Sequence, residues 1–509
     1  MTLRLISTPI TGSSLARIAI DGGDGKWYAR RPTSADEWKE RAERSRRLLL
    51  DRNWLESLSP ALEATGRAAE RLERAAMSGV AVTTGQQPGL FGGPLYTWWK
   101  ALSALSLADT LEKKIGIPVA PIFWAATDDS DFDEASYTVV PSADGAERIE
   151  ITTDAPAGTP LSEIPVGDIE DQLARLEHSA GSAPSVQILD AVRRAYRSDS
   201  TLGSAYVALL REMLEPLGVA VLDASHPSVR RAAFPLLKRA LERSGEIDGA
   251  LSARSKELKS AGHSTQVKLV KGRTLVFGDQ SGRRDRIRMR DAADALNDSV
   301  PGSLGPNVLL RPIVERAIIP TVAYIGGGAE IAYFAQTGAV AEALEMDAPL
   351  VVPRWSGMVI EPRIDKILER HSLTPDDFRD PHAVESKMAR ESLPSALREK
   401  ISELEKTLTV LTEGLTRTEG ADLVAPSVLE GMRRGVLHRV GRLERRFAAR
   451  IKQRGNDALR DASIARGSLY PSGTPQERAL NIVPLLSRHG DELFDAVLAE
   501  AGKHAARIT

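Results

Sequence analysis

The sequence contains no cysteine among its 509 residues, and this absence excludes several kinds of site at once. Disulfide bridges, thiolate zinc sites, iron–sulfur clusters and a cysteine nucleophile all need the missing thiol. A chain of this length buries enough apolar surface to fold without disulfides. Length alone predicts about three domains.

The chain also lacks an excess of charge of either sign and a long apolar run. Lys and Arg number 67 and Asp and Glu number 69, which gives a net charge of −2. This balance argues against a broad nucleic-acid surface. No apolar stretch reaches the ~20 residues of a membrane span, and Met1–Gly12 lacks the apolar core of a signal peptide. We therefore expect a cytoplasmic protein with neither nucleic acid nor membrane as a partner.

Common catalytic motifs are missing as well. The sequence has no G-x-x-x-x-G-K-[ST] phosphate loop, no H-E-x-x-H and no G-x-S-x-G. None of the eight histidines has the spacing of a metal-ligand pair. We expect no tightly bound metal.

Short apolar runs alternate with helical patterns along most of the chain, which predicts an α/β fold. Gly79–Thr84, Tyr96–Lys114 and Ile117–Ala126 read as strand, helix and strand of one parallel βαβ unit. Further apolar runs without polar alternation are typical of strands covered on both faces. They are Gly218–Asp223, Ala317–Ile325 and Ala348–Pro353. The pattern predicts a Rossmann-like, doubly wound parallel sheet.

The predicted core spans residues 1–375. Two stretches, near 140–200 and 260–312, are richer in Gly, Ser, Asp and Arg and are expected to be inserted connecting segments. Residues 463–509 are expected to return to the core.

A helical arm is predicted over residues 376–462. Its first helix carries apolar residues spaced 4, 3, 4, 3 and 4 apart, from Leu397 to Leu415, which is the a/d seam of a coiled coil. A second stripe runs from Leu429 to Ile451. Together they predict an antiparallel helical hairpin, whose seam packs within the hairpin, on the core or on a second subunit.

The first candidate site is the glycine-rich loop after the strand Gly79–Thr84. It opens a helix whose free N–H groups favour an anion, and its glycines permit a ligand to approach the backbone. We expect ligand binding, although a plain strand-to-helix turn explains the same glycines. The candidate residues are Thr84, Gly85, Gln86, Gln87, Gly92, Gly93, Pro94, Thr97 and Lys100.

The second candidate site is the acidic run Thr127–Glu134, directly after the next strand. Asp128, Asp129 and Asp131 are suited to binding a metal or an amine, or to acting as a general base. The alternative is a solvated loop that caps the following helix.

Two more strand ends carry polar residues. Asp223 ends one strand, and His226 follows it. His226 is either a proton shuttle or a bystander beside a helix cap. At the other, Gly326 and Gly327 follow Tyr324 in a glycine turn.

Beyond that turn, Glu330, Tyr333 and Gln336 fall at helical spacing and are expected to line one cleft. Glu330 also suits a helix start on structural grounds alone. The carboxyl ends of parallel strands meet at one edge, so these groups predict a single ligand cleft.

Several of these segments together resemble the cysteine-adding enzymes of bacillithiol biosynthesis. The resemblance covers residues 80–490. The motifs are VTTGQQPGLFGGPLYTWWKALSAL, PVAPIFWAATDDSDFDE, VLDASHP, YIGGGAEIAYFAQ, VVPRWSG and LYPSGTPQERALN.

The resemblance implies a core similar to class I aminoacyl-tRNA synthetases and nucleotidyltransferases, and a coiled-coil arm that forms a homodimer. It implies a ligase that joins the carboxyl of L-cysteine to the amine of glucosaminyl malate, with ATP and Mg²⁺ as expected cofactors. The usual His-x-Gly-His is absent. Where the family shows Glu-Asp-His-Asp-Phe, this chain has Ser130 in place of His, which makes His226 the candidate proton carrier.

These expectations assign a role to each cluster. The glycine loop would bind phosphate or carboxylate, the aspartates would hold the substrate amine or Mg²⁺, and Glu330, Tyr333 and Gln336 would line the sugar or malate pocket. Two other functions remain open at this point: a nucleotidyl-transferring or adenylate-forming enzyme acting on another small carboxylate, and a non-enzymatic coiled-coil scaffold.

Overall fold

The computed structural model describes residues 3–143, 145–181, 185–280, 283–380, 383–384, 388, 393–420, 423–452 and 457–509. The chain forms two compact units. The larger comprises Leu5–Val140, Arg148–Val359 and Leu480–Thr509, and the smaller comprises Met1–Arg4, Pro141–Glu147 and Ile360–Ala479.

The strands, in chain order, are β1 (Arg4–Ser7), β2 (Val80–Gln86), β3 (Val119–Ala125), β4 (Tyr137–Ser142), β5 (Gly145–Glu150), β6 (Ala220–Asp223), β7 (Arg273–Gln280), β8 (Arg283–Arg288), β9 (Leu304–Pro306), β10 (Thr321–Gly326), β11 (Val351–Pro353) and β12 (Gly357–Ile360).

The helices are α1 (Ser14–Ile20), α2 (Ala35–Arg47), α3 (Trp54–Leu62), α4 (Gly66–Ser78), α5 (Leu95–Ile115), α6 (Phe132–Ala135), α7 (Glu170–Ala180), α8 (Val186–Ala195), α9 (Leu202–Leu214), α10 (Pro227–Glu242), α11 (Ser244–Ser260), α12 (Ala292–Asp298), α13 (Arg311–Ile318), α14 (Gly328–Ala343), α15 (Pro362–Arg370), α16 (Ser395–Leu415), α17 (Pro426–Lys452), α18 (Asp457–Leu469), α19 (Gln476–Ala479), α20 (Val483–His489) and α21 (Asp491–Ile508). In the described part of the chain, no helix is long and apolar enough to cross a membrane.

The larger unit is built around a five-stranded sheet in the order β11-β10-β2-β3-β6. Each neighbouring pair is parallel, and β2 lies at the centre between β10 and β3. This confirms the predicted Rossmann-like fold.

Both faces of this sheet are covered, which explains why its strands lack polar alternation. Val80 and Val82 of β2 pack in one apolar cluster with Leu107 of α5. Ala81, between them in the chain, belongs to a second cluster that includes Leu72 of α4. Because successive side chains of a strand point to opposite faces, helices on both faces require apolar residues at every position.

The strand predicted over Ala317–Ile325 is shorter than expected. Ala317 lies in α13, and the strand itself starts at Thr321. Pro320 separates the two elements, because a proline lacks the N–H that a continuing helix needs. The apolar run thus includes the buried end of a helix, which hydrophobicity alone does not distinguish from a strand.

The two predicted inserted stretches have different contents. Residues 140–200 include α7 and α8, whereas residues 260–312 include a three-stranded antiparallel sheet in the order β8-β7-β9. Within it Val276 pairs with Pro306. This small sheet supplies several residues to the site described below.

In the smaller unit, α16 and α17 form the helical hairpin. Ile401 and Val440 are buried together, and Leu397 and Leu408 pack against them. Other apolar residues of the two stripes are exposed within the single chain, among them Leu404, Leu411, Leu415, Met432 and Leu443.

Candidate functional site

A cavity of about 410 Å³ lies in the larger unit at the carboxyl ends of β2, β3 and β10. Seven of the predicted site residues line it: Gly85, Gln86, Gln87, Asp128, Asp129, Glu330 and Tyr333. The rest of the lining consists of Trp124, Ala126, Ser130, Phe277, Arg286, Pro306, Asn307, Val308 and Arg311. This is the edge at which a doubly wound sheet binds its ligands.

Gly85 brings the backbone of β2 close to its neighbour at the cavity wall. A Cβ at this position would lie 2.8 Å from the carbonyl oxygen of Trp124. The glycine is therefore needed for strand packing. Beside it, the amide of Gln86 donates to the Tyr96 hydroxyl at 3.1 Å, which fixes its orientation.

Lys100 lies beneath the cavity lining. Its side chain is 2% exposed. The ammonium donates to the Gly85 carbonyl oxygen at 2.8 Å and to Gln86 Oε1 at 2.7 Å, and it forms an ion pair with Glu330. Burial lowers the pKa of Lys100, and the Glu330 carboxylate opposes that shift. The expectation that Lys100 points its charge at a ligand is not met, because its three donors are used within the protein.

Glu330 does line the cavity and also caps its own helix. Its Oε2 accepts from the Gly327 N–H at 2.9 Å, and its Oε1 accepts from the Tyr324 hydroxyl at 2.8 Å. Burial alone raises the pKa of Glu330, but Lys100 and the Gly327 N–H outweigh burial and hold it below the usual value. The Gly327 N–H, expected to cradle a ligand, serves this cap.

Arg311, at the start of α13, is a cavity residue that sequence reasoning missed. Its guanidinium donates to the hydroxyls of Tyr324 and Tyr333 at 3.1 and 3.3 Å and pairs with Glu315 at 2.8 Å. Glu315 is fully buried, and burial raises its pKa to about 7 despite the neighbouring arginine. The available signal was the position of Arg311 just beyond a strand, at the start of a helix with Pro312.

The acidic run divides into two parts. Asp128, Asp129 and Ser130 line the cavity, whereas Asp131 is exposed and caps α6 by accepting from the Glu134 N–H at 3.2 Å. Burial and the neighbouring charge of Asp128 raise the pKa of Asp129. Among the described residues, no group of three or more acidic or histidine side chains is arranged to hold a metal ion.

His226 and Asp223 are both engaged near the start of α10. The Nδ1 of His226 accepts from the Ser228 N–H at 3.2 Å, and Asp223 accepts from the N–H and hydroxyl of Ser225 at 3.0 and 2.8 Å. Neither residue is part of the cavity lining. This segment therefore does cap α10, but His226 itself forms the cap and is not a bystander beside it. Proton transfer by His226 has no structural support.

The helix start after the glycine loop is closed by the chain itself. The Leu95 N–H donates to the Leu480 carbonyl oxygen at 2.9 Å, and Asn481 donates to the Gly93 carbonyl oxygen at 3.3 Å. The Gly92 N–H donates to the Tyr196 hydroxyl oxygen at 3.2 Å. Gly92, Gly93, Pro94 and Thr97 lie outside the cavity lining. This end of α5 does not fit the phosphate groups that its position predicted.

The remaining predicted residues support the walls. The Thr84 hydroxyl donates to the Ile325 carbonyl oxygen at 2.9 Å and so links β2 to β10. The Gln336 amide bonds both backbone groups of Val267, at 2.9 and 2.8 Å. Gly326 ends β10 beneath the Glu330 cap. Gln336 was expected in the pocket, but its hydrogen bonds attach the inserted segment to α14.

The small antiparallel sheet contributes Phe277 and Arg286 to the cavity, and Asn307 follows its last strand. None was predicted, because no local motif marks them. Phe277 and Arg286 face each other across the β7–β8 hairpin, and Asn307 is brought there by the pairing of β9 with β7 over about thirty residues.

Family models and individual relatives identify the same family for this chain. Residues 23–355 match the N-terminal Rossmann-like domain of the bacillithiol biosynthesis protein BshC, and residues 357–508 match its C-terminal coiled-coil domain. A relative from Koribacter versatilis, named "Putative cysteine ligase BshC", is 32% identical over 88% of this chain and 87% of its own length. A relative of the same name from Solibacter usitatus is 32% identical over 89% of this chain and 89% of its own length. Another from Heliobacterium modesticaldum is 30% identical over 92% of this chain and 90% of its own length. The chain therefore belongs to the BshC family of bacillithiol biosynthesis.

Proposed function

We propose that this protein is a ligase that joins the carboxyl group of L-cysteine to the amine of glucosaminyl malate through an amide bond. The names of its relatives support a cysteine ligase. The observation that carries the reaction type is Asp129, a cavity carboxylate whose pKa is raised by burial. A cytoplasmic location, where both substrates would be available, is part of the proposal.

Asp129 has the properties that amide formation requires of a base. An amine substrate arrives as an ammonium ion, and its nitrogen attacks only after losing a proton. A nearby carboxylate first attracts the ammonium, and a raised pKa makes that carboxylate a better proton acceptor. In the proposed step the ammonium gives one proton to Asp129, and the freed amine attacks the activated cysteine carbonyl carbon. The nitrogen–carbon bond forms as the bond to the oxygen leaving group breaks, and the nitrogen loses its second proton to solvent.

Forming an amide from a free carboxylate also requires activation, and we propose ATP with Mg²⁺ as its source. The helix start at Leu95 does not fit phosphate, as described above, so we assign no residue to the nucleotide. The Asp128–Ser130 segment has the oxygen donors that Mg²⁺ prefers, but it supplies fewer than the three clustered ligands of a resident metal site.

Mass spectrometry of a complete reaction tests the function directly. Purified protein, L-cysteine, glucosaminyl malate, ATP and Mg²⁺ should yield cysteinyl-glucosaminyl malate, with ADP or AMP as the second product. Omitting cysteine is the control. Pyrophosphate release without cysteine would instead indicate a nucleotidyl-transferring enzyme, and absence of any product from a folded protein would contradict the proposal.

We further propose that the protein is a homodimer joined through α16 and α17. Leu404 is 44% exposed and Leu411 is 61% exposed in the single chain, although both lie on the a/d seam. Exposed apolar residues in a heptad register are the surface that a coiled coil covers by association.

A further inference from the structure

Arg286 is a cation at the cavity wall. It is half-buried, on β8, and its guanidinium has no ion pair or hydrogen bond within the part of the chain that the structure describes. The Phe277 ring lies 5.9 Å from its Cζ. Burial and the neighbouring Arg273 lower the pKa of Arg286 and outweigh the opposing charge of Asp285. An anion bound beside the Arg286 guanidinium would stabilise its charged form against both burial and repulsion from Arg273.

Asn307 adds an unused donor at the same wall. Its side chain is 4% exposed, and its Oδ1 accepts from the N–H groups of Leu309 and Leu310 at 3.2 and 3.0 Å. These two bonds fix the orientation of the amide, and its Nδ2 has no acceptor among the described residues. A buried donor without an acceptor is costly, and a ligand oxygen would satisfy it.

The other charges of the lining are already compensated. Arg311 is paired with Glu315, and Glu330 with Lys100. Arg286 on the small sheet therefore meets a ligand as a cation, and Asp129 after β3, with Asp128 beside it, as the acidic group of the lining. A ligand that carries both a carboxylate and an ammonium group complements such a cavity.

We infer that Arg286 and Asn307 bind the malyl carboxylates of glucosaminyl malate, with the amine directed toward Asp129. This inference rests on the proposed function. The carboxyl of cysteine is the less suitable ligand for Arg286, because it loses its charge as the amide forms. The malyl carboxylates keep their charge throughout, so a fixed arginine holds them in substrate and product alike.

Calorimetric binding to the full chain tests this assignment. We expect Arg286→Gln to weaken the affinity for glucosaminyl malate by about 10- to 100-fold, as for loss of a charge-assisted hydrogen bond. Affinity for methyl glucosaminide, which has the amine but no carboxylate, should stay within about twofold. Arg288→Gln is the matched control, since Arg288 lies on the same strand, is exposed and does not line the cavity.

A second variant separates binding from folding. Asn307→Asp retains the oxygen that accepts from Leu309 and Leu310 but replaces the donor with a second acceptor. It should weaken binding of glucosaminyl malate more than binding of methyl glucosaminide, with an unchanged circular dichroism spectrum.

Four results would overturn the inference. Equal weakening of both sugars by Arg286→Gln would show a general effect, and weakening of ATP or cysteine binding instead would assign Arg286 to another substrate. If the wild-type protein binds methyl glucosaminide as well as glucosaminyl malate, the carboxylates are not recognised. Absence of any sugar binding to the wild type would overturn the proposed function itself, together with this assignment.

Discussion

The ammonium of Lys100, buried beneath the cavity lining, forms an ion pair with the carboxylate of Glu330, which lines the cavity. Lys100 belongs to the helix that follows β2, and Glu330 to the helix that follows β10, the neighbouring strand. The pair therefore joins two strand-to-helix crossings at the carboxyl edge of the sheet. Because Lys100 also bonds Gln86, one buried cation orients two cavity side chains.

Replacing Lys100 should destabilise the protein strongly. Lys100→Met leaves the Glu330 carboxylate buried without its counterion, which typically costs about 3–5 kcal/mol in the free energy of unfolding. Urea denaturation measures this loss. The double variant Lys100→Met with Glu330→Gln should recover part of it, because no uncompensated charge remains. Lys113→Met, at an exposed position of the same helix, is the control and should change stability by less than about 0.5 kcal/mol.

Asp129→Asn should reduce turnover by about 10²- to 10⁴-fold, the usual contribution of a general base. In the wild type, activity should fall as pH decreases through the pKa of Asp129, which burial places above its ordinary value of 3.8. This acidic limb of the pH–rate profile should vanish in the variant. Asp133→Asn, an exposed neighbour in the same run, should retain both activity and limb. An unchanged rate in Asp129→Asn would remove Asp129 from the mechanism.

The same residue makes a prediction about stability that is independent of catalysis. Since the pKa of Asp129 is higher in the folded than in the unfolded chain, the folded state holds the proton to higher pH. The stability that protonated Asp129 contributes is present at low pH. It is lost as pH rises from 3.8 through the pKa that Asp129 has in the folded state. Asp129→Asn should therefore gain stability relative to wild type across this window. Urea denaturation between pH 4 and pH 7 gives the difference, and a constant difference would contradict the raised pKa.

Gly85→Ala should destabilise the sheet. The added Cβ would lie 2.8 Å from the Trp124 carbonyl oxygen and 3.1 Å from the Trp124 Cβ, and the paired strands can separate only by disturbing their register. We expect a loss of about 1–3 kcal/mol, as for other overpacked sites. Gly249→Ala is the matched control. Gly249 lies within α11, and a Cβ added there would meet no atom within 4 Å other than the backbone of its own helix. Alanine should therefore stabilise that helix by up to about 1 kcal/mol. Thermal unfolding of the two variants should shift in opposite directions.

Local sequence predicted the part of the site that sits directly after a strand. Gly85, Gln86 and Asp129 could be located because an apolar run marks each strand and its carboxyl end marks the ligand edge. The orientation of Lys100 could not, because α5 is buried on nearly all sides and its pattern has no polar face. The sequence before Pro227 is compatible with a proton shuttle at His226 or with a bystander histidine beside a helix cap, and in the structure His226 itself forms the cap.

Long-range pairing explains the residues that the sequence did not reveal. Asn307 reaches the cavity because it follows β9, which pairs with β7 about thirty residues earlier in the chain. Arg286 lies on β8, the local hairpin partner of β7, and it reaches the cavity because this hairpin packs against a distant part of the core. Likewise, the segment around Leu480 closes the start of α5 although almost four hundred residues separate them. A strand-end rule locates a site, but it does not show which distant segment completes or blocks it.

The exposed part of the arm provides a test of subunit association. Lysine at Leu404 and Leu411 should convert the proposed dimer to a monomer, because both residues belong to the a/d seam and a buried lysine pair disfavours association. Val410→Lys makes the same change on the same helix at a position outside the seam, and it is 67% exposed, so it should leave the dimer intact. Sedimentation velocity measures the mass of each variant. A wild-type protein that sediments as a monomer would contradict dimerisation, and a double variant that remains dimeric would place the interface elsewhere. Since the cavity residues all lie within the larger unit, binding of glucosaminyl malate should persist in the monomeric variant, which would separate assembly from substrate recognition.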